Sequence, residues 1–102
     1  MILPTESAGG SAPTPVRFDL GRLVATPAAL EALTIDDIMV ALARHHRGDW
    51  GDVCIEDHAE NELSLQAGLR LFSVYRGGNG VKFYIITGHD RSITTVLLPS
   101  DY

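Results

Sequence analysis

The chain holds a single cysteine, Cys54, among its 102 residues, which excludes an internal disulfide and a cysteine-based zinc site. The acids around it, Asp52, Glu56 and Asp57, disfavour a thiolate, so a small packed residue is expected there rather than a nucleophile. No apolar run approaches the roughly 20 residues that span a bilayer. The first eleven residues also lack the basic head and apolar centre of a secretory signal, so the expectation is a cytoplasmic protein with no membrane partner. Positive charge is scarce too: 8 Lys and Arg stand against 13 Asp and Glu, a formal charge of −5. Non-specific grip on nucleic acid relies on cations neutralising phosphates, so nucleic acid is the less favoured partner, although a local basic site stays open. An internal repeat, a phosphate-binding glycine loop and a nucleophile elbow are all absent. Nothing in the pattern calls for a cofactor.

What is present is the material of one small domain. A hydrophobic fraction of 45% with 21% charged residues argues against wholesale disorder, and a chain of this length buries roughly two thirds of its unfolded surface, too little for a second core. Residues 1–15, rich in Ser, Gly, Pro and Ala, read as a disordered N-terminal tail. Residues 16–102 then form one α+β domain, with two or three short helices packed on a three- to four-stranded antiparallel meander.

Residues 16–25, with Phe18, Leu20, Leu23 and Val24 around Gly21, suit a short strand or extended segment that pairs along an edge of the meander. Thr26-Pro27 starts a helix through Leu33, threonine capping free N–H groups and proline losing no hydrogen bond at the first position. Thr34 with Asp37 starts a second helix. Its Ile35, Ile38, Met39, Leu42 and His46 recur at helical spacing and define an expected buried face. Arg44, His45 and Arg47 suit its last turn, and Gly48 its stop. Trp50 is expected to close the core between two helices. A third helix spans about 56–67, with Ile55, Ala59, Leu63 and Ala67 as its buried stripe and Gly68 as its end. Strands follow at 69–75, 81–87 and 93–98, joined by Gly77-Gly78-Asn79-Gly80 and by Gly88-His89-Asp90-Arg91-Ser92. Leu71, Phe72, Val74, Phe83, Ile85 and Val96 are the expected core of the sheet.

Two clusters invite a functional reading. Asp49, Asp52, Glu56, Asp57, Glu60 and Glu62 face only histidine as counter-charge, the strongest electrostatic feature of the chain. Asp52, Glu56, Asp57, Glu60 and Glu62 would make an acidic partner-binding face. The second cluster is His89, Arg91 and Thr94 with Arg70 two strands away. A histidine for proton transfer and arginines for developing phosphate charge are the groups of a metal-independent phosphodiester-cleaving site. The plainer alternative is turn hydrogen bonding by Asp90 and Ser92 and ordinary strand chemistry by the threonines. No metal site is expected. His45 and His46 point about 100° apart on their helix, and His58 with Glu62 lacks a third ligand.

Several stretches carry a resemblance: Ala25-Thr26-Pro27 with Ala29-Leu30, Gly48-Asp49-Trp50-Gly51, Asn61 with Gly68, Arg70, Ser73 and Tyr75, and the closing Ile86-Thr87, Asp90-Arg91-Ser92, Thr94-Thr95 and Leu97-Leu98-Pro99 with Tyr102. Over residues 17–102 the chain resembles a family of small proteins encoded on plasmids and other mobile elements, labelled plasmid-related proteins or, in some cases, type I restriction subunits. An acidic residue stands in that family where this chain has Gly88. The order of helices before a meander is also similar to the barnase and RelE-like ribonucleases, without their general-base glutamate on the sheet. The resemblance implies a genomic setting, a mobile element, and no established activity. With the acidic face beside it, the expectation is a non-enzymatic accessory protein that binds a protein partner through that face and counteracts a host defence system, in the manner of an anti-restriction or anti-CRISPR protein. A metal-independent ribonuclease using His89, Arg91, Thr94 and Arg70 is the alternative, and an exposed strand edge leaves a homodimer open.

Overall fold

The computed structural model describes residues 15–102; the tail expected over residues 1–15 lies outside them except for its last residue. Strand β1 (Arg22–Ala25) leads into helices α1 (Pro27–Ala32), α2 (Ile35–His46) and α3 (Ile55–Ala67). Strands β2 (Leu71–Arg76), β3 (Lys82–Thr87) and β4 (Ile93–Leu97) follow, and a single 3-10 turn (Pro99–Asp101) ends the chain. Local chemistry sets these boundaries. Thr26 Oγ1 accepts from Ala29 N–H at 3.1 Å, and Thr34 Oγ1 from Asp37 N–H at 3.0 Å, so each helix starts on a side-chain cap. Gly68 ends α3 in the left-handed conformation.

The fold class is α+β, but the sheet is mixed rather than purely antiparallel. Its order is β1-β4-β3-β2. β2, β3 and β4 form the antiparallel meander, and β1 adds to the outer edge of β4 in parallel, Arg22 opposite Ile93 and Ala25 opposite Val96. The parallel direction lets Thr26 N–H donate to Val96 O while the chain turns into α1 over the sheet face that needs cover. α1 and α2 bring Ala29, Leu33, Ile38, Ala41 and Leu42 onto Tyr75, Phe83, Ile85 and Val96. Full burial of a side chain such as Ile85 or Phe83 contributes roughly 1.5–3 kcal/mol.

Two helices present faces other than those the spacing suggests. In α2 the buried residues are Ile38, Ala41, Leu42 and His45, while Ile35 and Met39 are 63% and 55% exposed. The helix is turned toward His45 because polar partners wait there, as described below. In α3 the stripe of Ile55, Ala59, Leu63 and Ala67 faces solvent, and Asn61 and Ser64 are buried. Cys54, expected to be packed, is exposed at the start of α3. Of the expected sheet core, Leu71, Val74, Phe83, Ile85 and Val96 are buried, whereas Phe72 is half-buried on the face away from α1 and α2.

Candidate functional site

The reversal of α3 follows from what lies beneath it. β2 is an edge strand, and its outward backbone groups need partners. At Val74 they find main chain: Val74 N–H donates to Trp50 O, and Asp52 N–H donates to Val74 O. Gly51, at φ 74°, makes this approach possible, because a Cβ there would meet Val74 O at 2.0 Å. At Phe72 the partner is a side chain. Asn61 Nδ2 donates to Phe72 O at 2.7 Å, and Phe72 N–H donates to Asn61 Oδ1 at 3.0 Å. The amide thus imitates the next strand, and the inner face of α3 is polar because a bare strand edge is polar.

With the inner face committed to this edge, the apolar stripe has nowhere to go but outward. Ile55 is 80% and Leu63 57% exposed, with exposed Ala59 between them at four-residue spacing. At about 100° per residue, Glu56 and Glu60 flank the stripe on one side and Glu62 on the other. These acids differ in their surroundings. Glu62 accepts from Arg17 at 2.9 and 3.1 Å and from Trp50 Nε1 at 2.9 Å, and the guanidinium contact first, then the indole, hold its carboxyl below the usual range. Asp52 lies 3.8 Å from Arg76. Glu56, Asp57 and Glu60 are exposed and have no ion pair among the described residues; Glu56 and Glu60 flank the outward stripe, whereas Asp57 lies on the side of Asn61 and Ser64. Asp57 and Glu60 also line a groove of about 360 Å³ with Asn61, Arg70, Phe72 and Tyr102.

The residues of the phosphodiester reading are not gathered in this way. Thr94 is fully buried. Arg91, with φ 61°, extends its guanidinium onto carbonyls of Leu69, Gly88, His89 and Ser64 at 2.5, 3.1, 3.4 and 2.9 Å, tying the last hairpin to the end of α3. Burial lowers its pKa, and its fork has few donors left for a phosphate. Arg70 donates to the Tyr102 hydroxyl at 2.9 Å and is the one member of the four in the groove. His89 is exposed at the hairpin. Asp90 accepts from Ser92 N–H at 3.1 Å and Ser92 Oγ at 2.7 Å, the turn bonding that the plainer alternative anticipates. No group of three potential metal ligands occurs among the described residues, and none of their helices is long and apolar enough to cross a membrane.

Buried beneath the last hairpin is a polar chain that the spacing did not reveal. Thr94 Oγ1 donates to Leu20 O at 2.7 Å, a carbonyl that can only accept. Thr94 must therefore accept from Thr87, 2.7 Å away, and Thr87 from His45 Nε2 at 2.9 Å. His45 Nδ1 is then left to accept from Ser73 Oγ at 2.5 Å. His45, Ser73, Thr87 and Thr94 are all fully buried, with the Phe18 and Trp50 rings edge-on to His45 at 5.2 and 5.7 Å. Burial drives the histidine pKa down to about 3, helped by the charges of His46 and Arg91, so the ring is neutral. The chain of hydroxyls has no opening to a substrate; it selects one register of α2 on the sheet.

Comparison with protein-family models, with curated proteins and with solved structures finds no match to this chain.

Proposed function

We propose that the protein is a non-enzymatic binding module that docks a protein partner through the outer face of α3. The observation that carries this reading is the inverted helix: Ile55, Ala59 and Leu63 are presented to solvent in a row, rimmed by Glu56 and Glu60, which have no ion pair among the described residues. Exposed apolar residues that run together inside a charged rim mark interaction surfaces, whereas single ones need no explanation. The complementary surface has an apolar centre and basic residues at its rim, and basic residues are what a nucleic-acid-handling protein carries on its surface. Together with the resemblance to mobile-element proteins, this points to an accessory factor that occupies a basic surface of a host defence system.

The ribonuclease reading finds less support, since Thr94 is buried and Arg91 is engaged with backbone carbonyls. Affinity capture from nuclease-treated host extract, repeated with variants, separates the two. Leu63→Asp and the pair Glu56→Lys with Glu60→Lys should each abolish capture of one basic protein, His89→Ala should leave it intact, and rising salt should release it. Capture of that protein by all variants alike, or metal-free RNA cleavage lost in His89→Ala, would overturn the docking reading. The substitutions lie on exposed positions, where effects on stability are usually within about 0.5 kcal/mol.

A further inference from the structure

A sheet has two edges, and this chain closes one of them. The β2 edge is occupied by Asn61 at Phe72 and by Trp50 and Asp52 at Val74. The β1 edge is different. Arg22 N–H donates to Ser92 O and Thr26 N–H to Val96 O, so these even-numbered residues turn their backbone groups toward β4. By alternation along a strand, the N–H and C=O of Leu23 and Ala25 turn away from it, and among the described residues nothing pairs with them. Within β1 there is no proline, no bulge and no lysine; of the usual devices for blunting an edge it has only its four-residue length and the charge of Arg22. Leu23 and Val24 are instead 48% and 39% exposed.

We propose that this edge is completed by β1 of a second copy of the chain, antiparallel, with Val24 on the twofold axis. The register follows from two independent constraints. Outward backbone groups must meet outward backbone groups, which admits only registers that set odd-numbered residues against odd-numbered ones; with Leu23 of one copy facing Ala25 of the other, both outward residues pair, giving about four hydrogen bonds across the axis. That same register sets Arg22 against Thr26 of the second copy, and Thr26 carries an acid: its Oγ1 donates to Asp101 Oδ2 at 2.7 Å. Arg22, Val24 and Thr26 share the face of the sheet away from α1 and α2, with Val24 beside Thr95. The 3-10 turn lies on that face too, its neighbour Tyr102 packing on Tyr84 and Phe72.

Arg22 makes no ion pair within its own chain among the described residues, and Asp101 is exposed. The Thr26 hydroxyl first, and the Leu98 N–H second, hold the Asp101 carboxyl below its usual range, so it is ionised. Two symmetric Arg22–Asp101 contacts thus close the ends of a pairing that four residues of strand begin. A self-complementary patch of this kind is what a twofold interface requires. The pairing joins two four-stranded sheets edge to edge and leaves α3, which packs by β2 at the opposite edge, free at both ends of the assembly. It stands independently of the docking role, though it would make that docking bivalent.

Site-specific cross-linking tests the register. In an antiparallel pair, facing residues that exchange no hydrogen bonds have Cα atoms about 4.5 Å apart, within disulfide range. With Cys54→Ser as background, Val24→Cys should form a covalent dimer under mild oxidation and Leu23→Cys should not, because position 23 faces position 25. Analytical ultracentrifugation of the native chain should show a concentration-dependent dimer. Arg22→Glu should weaken it about tenfold through two reversed contacts, and Arg22→Glu combined with Asp101→Arg should regain most of that loss. A native chain that sediments as a monomer throughout, or equal cross-linking at positions 23 and 24, would overturn the proposal.

Discussion

Lowering the pH from 7.5 to 5 should cost this fold about 2 kcal/mol through one side chain, His45. In the folded protein its pKa is about 3, because burial excludes the charged ring. In the unfolded chain it returns to about 6.5. Below 6.5 the unfolded state therefore binds a proton that the native state refuses until about 3. Stability is fully present above 6.5 and falls as pH drops through the window between the two values, with a slope approaching 1.4 kcal/mol per unit. Integration from 7.5 to 5 yields the figure above. Stopping at 5 matters, because Asp49, Glu62, Asp90 and Asp101 all have lowered pKa values and add their own losses in more acidic solution. Urea unfolding followed by Trp50 fluorescence measures the effect directly, since the single tryptophan is buried beside His45. His45→Gln should unfold more easily at pH 7.5 but lose most of the slope. Equal slopes in the two proteins, or a flat profile in the native one, would refute the assignment of a neutral buried ring.

Three further outcomes follow from the same contacts. Asn61→Leu strands the Phe72 N–H and C=O and should destabilise the protein by about 2–3 kcal/mol by urea titration, with faster amide exchange at Phe72. Arg91→Ala should cost a similar amount, and Arg91→Lys should recover less than half, because a point charge cannot serve several carbonyls as a planar fork does; thermal unfolding of the two variants measures this. Gly51→Ala should cost more than about 2 kcal/mol, since its Cβ would collide with Val74 O at positive φ, whereas Gly68→Ala, with open space around it, should cost only about 1 kcal/mol.

The candidate site was legible in part. The acidic character of α3 is visible in the sequence, and Glu56 and Glu60 do face outward. Spacing alone predicts Ile55, Ala59, Leu63 and Ala67 inward, because apolar spacing normally marks the side that meets the core. Asn61 and Ser64, three residues apart on the other side, were the signal to the contrary, but they acquire meaning only beside a strand edge that needs an amide. The spacing of α2 likewise favours His46, and the structure buries His45. Periodicity weighs both histidines as poor core residues, and only the hydroxyls of Ser73 and Thr87, many residues away, decide between them.

What the sequence determined by itself is local. Thr26 and Thr34 cap helices through groups three residues on, Gly68 stops α3, and alternating or continuous apolar runs make β2, β3 and β4 strands, because each depends on neighbours within one turn or one hairpin. Tertiary structure decided the rest: the parallel addition of β1, the rotation of α2 toward a buried histidine and the outward turn of α3. These choices were settled by backbone groups at sheet edges and polar atoms in the interior. Their partners come from distant parts of the chain, and leaving such groups unpaired costs an amount comparable with exposing an isoleucine or a leucine, a cost that apolar spacing alone does not weigh.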